Sequence, residues 1–202
     1  MNSLANENCP FYRRGEHPLA RDHVAFEKEF VELANKKGLD MIDMSYHHLY
    51  PDRIKGQLRN NTSPLSLLIR TTPDFMCITD GEYYELKTGT STERLNVEAY
   101  PFMVNQIRSR ELHIPCTYVY KGAITEDKIV MCESIWIKPH TLVIPKDEKN
   151  NDIRETLVNY FNGNLTIVER EKSKIFSNDA YVVINSEQVQ TWADANEYWE
   201  KA

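Results

Sequence analysis

The residues best suited to chemistry lie in one short stretch, residues 72–88, which reads TPDFMCITDGEYYELKT. Asp80-Gly81 is the dipeptide that a type I′ turn favours, because both central residues of that turn need a positive φ. Runs of aromatic and aliphatic residues flank this dipeptide on both sides. The stretch therefore predicts a β-hairpin with a two-residue turn.

The predicted pairing sorts the side chains of this hairpin onto two faces. A two-residue turn places Met76 opposite Glu85 and Asp74 opposite Lys87. Because successive residues of a strand point to opposite faces, the two carboxylates and the ammonium group share one face. The other face has the character of a packing surface, with Phe75, Cys77, Tyr84 and Leu86.

The shared face predicts a cation site. Two carboxylates on neighbouring strands, with no His or Cys beside them, suit Mg²⁺ or Mn²⁺ better than zinc. Asp74 and Glu85 are diagonal neighbours in this register, and the carbonyl of Leu86 is a candidate third oxygen ligand. Lys87 can hold an attacking water, lower its pKa or neutralise charge that develops on phosphorus. Together these groups are the parts needed to hydrolyse a phosphodiester.

A simpler interpretation is a surface hairpin in which Asp74 and Lys87 form a cross-strand ion pair and Glu85 is solvated. Such a pair stabilises a sheet by only ~0.2–1 kcal/mol. That gain gives little reason to interrupt the apolar alternation of a strand.

The elements around the hairpin follow from periodicity and breakers. A helix is predicted over residues 18–37 and stops at Gly38, a strand over 39–46, a second helix over 96–112 and a strand over 116–120. The first helix has an apolar face of Phe26, Phe30, Leu33 and Ala34. His23 lies on that face and Glu27 at its border. The adjacent His47 and His48 are assigned to the surface, because neighbouring strand residues point apart.

Basic residues concentrate between the first strand and the hairpin. Residues 53–73 contain no acid, and their Gly, Asn, Ser and Pro residues predict a basic loop. A loop that follows phosphates needs this composition, although a solvated loop has it as well. The candidate nucleic-acid contacts are Arg53, Lys55, Arg59 and Arg70, together with Gln106 from the second helix, for which simple exposure is the competing interpretation.

Bulk composition restricts the class of protein. The chain has 202 residues, 41% hydrophobic content and a net charge of −6, which suits a globular protein and counts against one that coats nucleic acid. No apolar run approaches the ~20 residues that span a bilayer, and no signal-peptide pattern opens the chain. A cytoplasmic location is expected, with no membrane partner and with the four scattered cysteines reduced.

Pro73-Asp74, ten residues, and then Glu85-Leu86-Lys87 resembles the signature of the PD-(D/E)XK nuclease superfamily. The resemblance implies a restriction-endonuclease-like αβββαβ core with a central mixed sheet flanked by helices, an α/β (α+β) fold. It makes Asp74 and Glu85 metal ligands, Lys87 the lysine near the nucleophilic water, and Glu27 the glutamate of the preceding helix, for which Glu29 and Glu32 compete.

The expected domain plan follows from the extent of that resemblance. Residues 1–17 form an N-terminal arm, 18–122 the nuclease core, and 123–202 a C-terminal α/β extension packed on the core. Within the extension the pattern predicts an apolar run over 129–137, a helix over 152–161, strands over 165–168 and 181–185, and a terminal helix over 188–200.

The resemblance implies an Mg²⁺- or Mn²⁺-dependent deoxyribonuclease, an endonuclease of phage or mobile-element type that acts on DNA, with a homodimer as one arrangement. Two alternatives stay open. Cap-snatching RNA endonucleases also look similar, since they add a helix-borne histidine as His23 would be. A protein of the same fold that binds nucleic acid without cutting it is the other alternative.

Overall fold

The structure, a computed structural model, describes residues 18–59, 63–146, 151–171 and 180–201. The expected N-terminal arm, residues 1–17, lies outside them. The helices of the described residues are α1 (Pro18–Lys36), α2 (Tyr46–Leu49), α3 (Asp52–Arg59), α4 (Pro64–Arg70), α5 (Ala99–Glu111), α6 (Asn151–Phe161), α7 (Ser186–Gln190) and α8 (Ala195–Lys201). The strands of the same residues are β1 (Met41–Asp43), β2 (Phe75–Cys77), β3 (Tyr83–Gly89), β4 (Arg94–Glu98), β5 (Cys116–Gly122), β6 (Val130–Glu133), β7 (Thr141–Pro145), β8 (Thr166–Arg170), β9 (Tyr181–Asn185) and β10 (Ala193–Asp194).

These strands form two mixed sheets, so the chain is a mixed α/β protein. The first sheet has the order β1-β2-β3-β5-β6-β10, with β3 and β5 parallel and the other neighbours antiparallel. The second has the order β4-β9-β7-β8, in which β7 and β8 are parallel. Segments on both sides of residue 122 contribute to each sheet. None of the described helices is long and apolar enough to cross a membrane.

Helix α1 forms where it was predicted because its apolar residues recur at helical spacing and Gly38 ends it. Gly38 has a φ of 76°, which a residue with a side chain rarely adopts. Phe30 is completely buried and packs against Phe75, Tyr84 and Trp199, with ring centroids 5.5–5.9 Å apart. Helices α1 and α8 therefore cover the apolar face of the hairpin.

Helix α5 covers the opposite face of the first sheet. Phe102 contacts the Tyr118 ring at 5.6 Å and the Phe161 ring at 6.3 Å, so α5 joins β5 to α6. The same core takes in the inner side chains of the second sheet, including Val97 and Ile184. The polar face of the hairpin thus lies on the α5 side of the sheet.

Several predicted elements are confirmed, namely α1, the hairpin strands, β5, α6 and β9. The prediction of a basic loop is wrong, since most of residues 52–70 are helical. Pro64 occupies the first turn of α4, and the Ser63 hydroxyl accepts a hydrogen bond from the Ser66 N–H at 3.4 Å. Ser-Pro before an apolar run is a helix start, and that signal outweighs the breakers beside it.

Three other elements begin or end at residues different from those predicted, because packing determines their boundaries. The first strand is only Met41–Asp43 and leads into α2. The second helix begins at Ala99, because Leu95 and Val97 are buried in β4, an alternating strand. Pro101 therefore falls in the first turn, where its missing N–H costs nothing. The predicted terminal helix is divided by β10 into α7 and α8.

Candidate metal and catalytic site

The hairpin has a longer turn than predicted. Cys77 N–H donates to the Glu82 carbonyl and Gly81 N–H donates to the Cys77 carbonyl, so residues 78–81 form the loop. The pairing is Phe75 with Tyr84, shifted by two residues from the predicted register. The predicted partners were therefore wrong. An even shift leaves every side chain on its predicted face.

The shift brings the two acids closer together than the predicted diagonal. Asp74 directly precedes β2, and one further step of the observed register places it opposite Glu85. The backbone pairing of β2 with β3 ends at Phe75. Beyond it the Asp74 side chain continues the contact, since its Oδ2 accepts a hydrogen bond from the Leu86 N–H at 2.8 Å. The N–H and C=O of a strand residue point to the same side, so the Leu86 carbonyl is directed toward Asp74 as well.

Lys87 lies against the second acid. Its Nζ is 2.6 Å from Oε1 of Glu85, and the two side chains are 22% and 10% exposed. Burial alone would lower the pKa of Lys87, but the carboxylates of Glu85, Glu98 and Asp74 outweigh burial and raise it. Lys87 therefore stays protonated around neutral pH and acts as a positive charge and a proton donor.

Asp74 is affected in the opposite sense. Burial and the neighbouring Glu85 raise the pKa of the Asp74 carboxyl from 3.8 to about 7, against the opposing effects of Lys87, the Leu86 N–H and His23. A carboxyl group with that pKa is held in a place where its negative charge is poorly compensated. A divalent cation between Asp74 and Glu85 would supply the missing charge.

A third acid, Glu27, is buried on α1. Glu27 is only 8% exposed. Its Oε1 lies 3.3 Å from Nε2 of His23, and its Oε2 lies 3.7 Å from Nε2 of His48. The other ring nitrogen of His48 lies 2.7 Å from Oδ2 of Asp43. The carboxylate of Glu27 is therefore held between two imidazoles.

The assignment of His48 to the surface is confirmed, since its side chain is 43% exposed, but its contact with Glu27 was not predicted. His48 was assigned to the surface on the assumption that a strand continued through residue 46, whereas α2 turns the chain back toward α1. The spacing of Asp43 and His48, five residues apart across a helix start, would not have indicated the contact without the fold.

The candidate nucleic-acid contacts are spread over two helices and the core. Arg53 is exposed on α3, Arg70 is half-buried at the end of α4, and Lys55 is paired with Asp52 at 2.9 Å. Arg59 ends α3, and its side chain lies outside the described part of the chain. These residues belong to the segment 46–70, which connects β1 to β2 and ends close to Asp74.

Gln106 is not available to a ligand. It is 5% exposed, donates to the Ser134 carbonyl at 2.9 Å and accepts a hydrogen bond from the Tyr160 hydroxyl at 3.1 Å. The spacing of α5 predicts a buried stripe of Tyr100, Met103, Val104 and Ile107. The first three pack in or against the core, whereas Ile107 is 37% exposed and Phe102 is buried in its place. The contacts of α5 with both β5 and α6 determine this orientation.

The donor set of this site fits Mg²⁺ or Mn²⁺. Mg²⁺ is usually bound through one or two carboxylates and completes its shell with waters and substrate phosphates. Asp74, Glu85 and the Leu86 carbonyl supply such a set. In the part of the chain that the structure describes, no three His, Cys, Asp or Glu side chains form a group that could hold an ion, so the protein alone offers no closed cage.

Comparison with known proteins adds no relative. No family model, curated protein or solved structure matches the chain. The site must therefore be interpreted from its own geometry.

Proposed function

We propose that this protein is an Mg²⁺- or Mn²⁺-dependent endonuclease that hydrolyses phosphodiester bonds in DNA. The observation that carries the proposal is the placement of Asp74 opposite Glu85, with Lys87 beside them, at the point where the backbone pairing of β2 with β3 ends. A structural ion pair needs one acid and one base. Here the carboxyl groups of Asp74 and Glu85 lie together beside one ammonium group, and their repulsion is unfavourable until a cation binds.

The arrangement of elements supports the same proposal. Helix α1 precedes β1, β2 and β3, and α5 lies between β3 and the parallel strand β5. This is the order αβββαβ expected for a PD-(D/E)XK core, with α2–α4 inserted after β1 and with β4 inserted after β3. Strand β5 lies directly beside β3 in the first sheet.

The protein residues would divide the work of hydrolysis. A divalent cation bound by Asp74, Glu85 and the Leu86 carbonyl would supply Lewis-acid chemistry, lowering the pKa of a coordinated water. Lys87, protonated at neutral pH, would orient the attacking water and stabilise negative charge on phosphorus. Glu27, held by its histidines, would orient a second water or a cation ligand.

The substrate is proposed to reach the site along the segment 46–70. Arg53 and Arg70 would contact backbone phosphates, a sequence-independent interaction. Lys55 is paired with Asp52 within its helix, so its contribution would be smaller.

RNA is the second candidate substrate. The observation that favours it is His23, which lies 3.3 Å from Glu27 and close enough to Asp74 to lower that carboxyl's pKa. A helix-borne histidine beside the acids is what the cap-snatching resemblance implies.

A cleavage assay tests the proposal and the choice of substrate together. Supercoiled DNA, linear DNA and single-stranded RNA are incubated with Mg²⁺ or Mn²⁺ and with wild type, Asp74→Ala or Lys87→Ala. We expect metal-dependent nicking of DNA, reduced by about 10²-fold or more in both variants. Glu29→Ala is the matched control, because Glu29 is about half exposed and pairs with Lys121 of β5.

Two results would contradict the proposal. The first is a wild type that cuts none of the three substrates with either cation. The second is cleavage that Asp74→Ala and Lys87→Ala leave at the wild-type rate. Cleavage of RNA alone would move the assignment to the second candidate.

A further inference from the structure

A buried hydrogen-bond network connects α5 to both sides of the acid pair. Asn105 and Tyr118 are completely buried, and Nδ2 of Asn105 donates to the Tyr118 hydroxyl at 3.2 Å. Nη1 of Arg108 donates to Oδ1 of Asn105 at 2.9 Å and to the Thr71 carbonyl at 2.5 Å. Arg108 therefore links α5 to the segment that leads into β2.

The two ends of this network reach the neighbourhood of the two acids. Thr71 is 3% exposed and precedes Asp74 by three residues. Tyr118 is paired with Glu85 in the parallel ladder of β3 and β5. One end therefore holds the backbone that presents Asp74, and the other end lies beside the residue that Asp74 faces.

We propose that Arg108 is a positioning residue that holds the segment 71–74 against α5 and so keeps Asp74 opposite Glu85. The inference rests on the proposed function in taking this pair as the cation-binding pair. Arg108 touches neither acid, and it acts through the Thr71 carbonyl.

The role is one of position and not of charge. Besides burial, the groups that shift the pKa of Asp74 most are Glu85, Lys87, the Leu86 N–H and His23. Arg108 is not among them. The guanidinium instead satisfies two buried acceptors at once. Leaving such acceptors unpaired is costly, so the segment would move to reach water or another donor.

Amide hydrogen exchange tests this role without cation or nucleic acid. Two amides report on the place of Asp74, since Leu86 N–H donates to its Oδ2 and Met44 N–H donates to its carbonyl, each at 2.8 Å. Exchange at both is measured by NMR in wild type, Arg108→Met and Arg108→Lys. The amide of Ile184, in the second sheet, reports on global unfolding.

The expected result is local. Arg108→Met should speed exchange at Leu86 and Met44 by about tenfold or more relative to Ile184, because a charge-assisted hydrogen bond is lost. Arg108→Lys should show a smaller increase, since both bonds come from one nitrogen and an ammonium group can replace part of it. Arg110→Met is the control, because Arg110 is exposed and contacts the Tyr160 hydroxyl at 3.4 Å.

A second readout connects the position to the site. Mn²⁺ titrated into the same variants should bind more weakly to Arg108→Met than to Arg110→Met, with Arg108→Lys between them. If Arg108→Met does not fold, Arg108→Lys against Arg110→Lys decides the question. Exchange at Leu86 and Met44 that stays at the wild-type ratio to Ile184 would overturn the positioning role. A wild type that cuts no nucleic acid would overturn the proposed function and would leave the exchange result standing.

Discussion

Asp74 shows most directly what folding does to a single side chain at this site. Folding moves its carboxyl group out of water and opposite Glu85, so its pKa rises from 3.8 to about 7. Well below pH 3.8, the folded and unfolded chains both bind the proton. Between pH 4 and pH 7 the unfolded chain releases the proton while the folded chain keeps it, so the free energy of unfolding falls as pH rises. Above pH 7 the full cost is present.

Asp74→Asn should remove that cost. We expect the variant to be within about 0.5 kcal/mol of wild type near pH 4 and more stable by about 1–3 kcal/mol at pH 8, measured by urea unfolding without divalent cations. Mn²⁺ at pH 8 should stabilise wild type more than Asp74→Asn. Glu93→Gln, on an exposed loop, is the control and should show no such trend. A difference that is the same at pH 4 and pH 8 would disprove the linkage.

For single residues, the sequence predicted which side chains share a face of the sheet, but it did not predict which residues are paired across the strands. Alternation alone put Asp74, Glu85 and Lys87 on one face, because a period of two survives any even shift of register. The exact pairing could not be predicted, since it depends on whether Ile78 and Thr79 belong to the strand or to the loop. The approach of His48 to Glu27 depends on where α2 packs, which no local pattern contains.

Two glycines differ in whether the element that contains them has space for a side chain. Gly122 pairs with Gly89 where β3 and β5 end, and a Cβ at residue 122 would lie 2.3 Å from the Gly89 carbonyl oxygen. Gly56 lies within α3, and a Cβ there would meet nothing within 4 Å. The first glycine permits two strands to approach, whereas the second only weakens a helix.

Alanine at these two positions should therefore have opposite effects. Gly56→Ala should stabilise the protein by ~0.5–1 kcal/mol, because alanine is the better helix former. Gly122→Ala should destabilise it by about 1–3 kcal/mol, because the strands must separate to fit the methyl group. Thermal unfolding of both variants beside wild type measures the contrast. Gly122→Ala that is as stable as wild type would contradict this account of the β3–β5 contact, and Gly56→Ala that is less stable would contradict the account of α3.

Elements with a local signal were predictable, and those chosen by tertiary contacts were not. Helix α1 has a periodic apolar face and a glycine stop, and both were recognised. Residues 96–98 of β4 were assigned to the following helix, although Leu95 and Val97 have the two-residue spacing of a strand face. The pairing of β4 with β9 decides between helix and strand there.

At the scale of the whole molecule, each sheet combines strands from before residue 122 with strands from after it. Strand β5 pairs with β6, and β4 pairs with β9, so each partner lies beyond that residue. Tyr118, Val119 and Tyr120 are completely buried in β5. Residues 18–122 alone would expose this strand and leave β4 without its neighbour.

We expect the fragment 18–122 to lack a cooperative fold. It loses β6 and β10 from the first sheet and three of the four strands of the second sheet, and an unpaired apolar edge favours aggregation. A ¹H–¹⁵N spectrum and a thermal melt of the fragment, beside those of the full chain, check this. A dispersed spectrum with a sharp transition would show that the expected nuclease core folds by itself.

The pairing of β4 with β9 has a consequence for the order of events in folding. Leu95 lies opposite Ile184, so the second sheet closes a long loop of chain before its contacts can stabilise it. Loop-closure entropy makes such non-local pairing slow. The hairpin that presents Asp74 and Glu85 is local and can form early. Helix α5 packs between the two sheets, so its contacts are complete only when the second sheet has formed. During synthesis, the acids would therefore gain their final support only after β9 has been made.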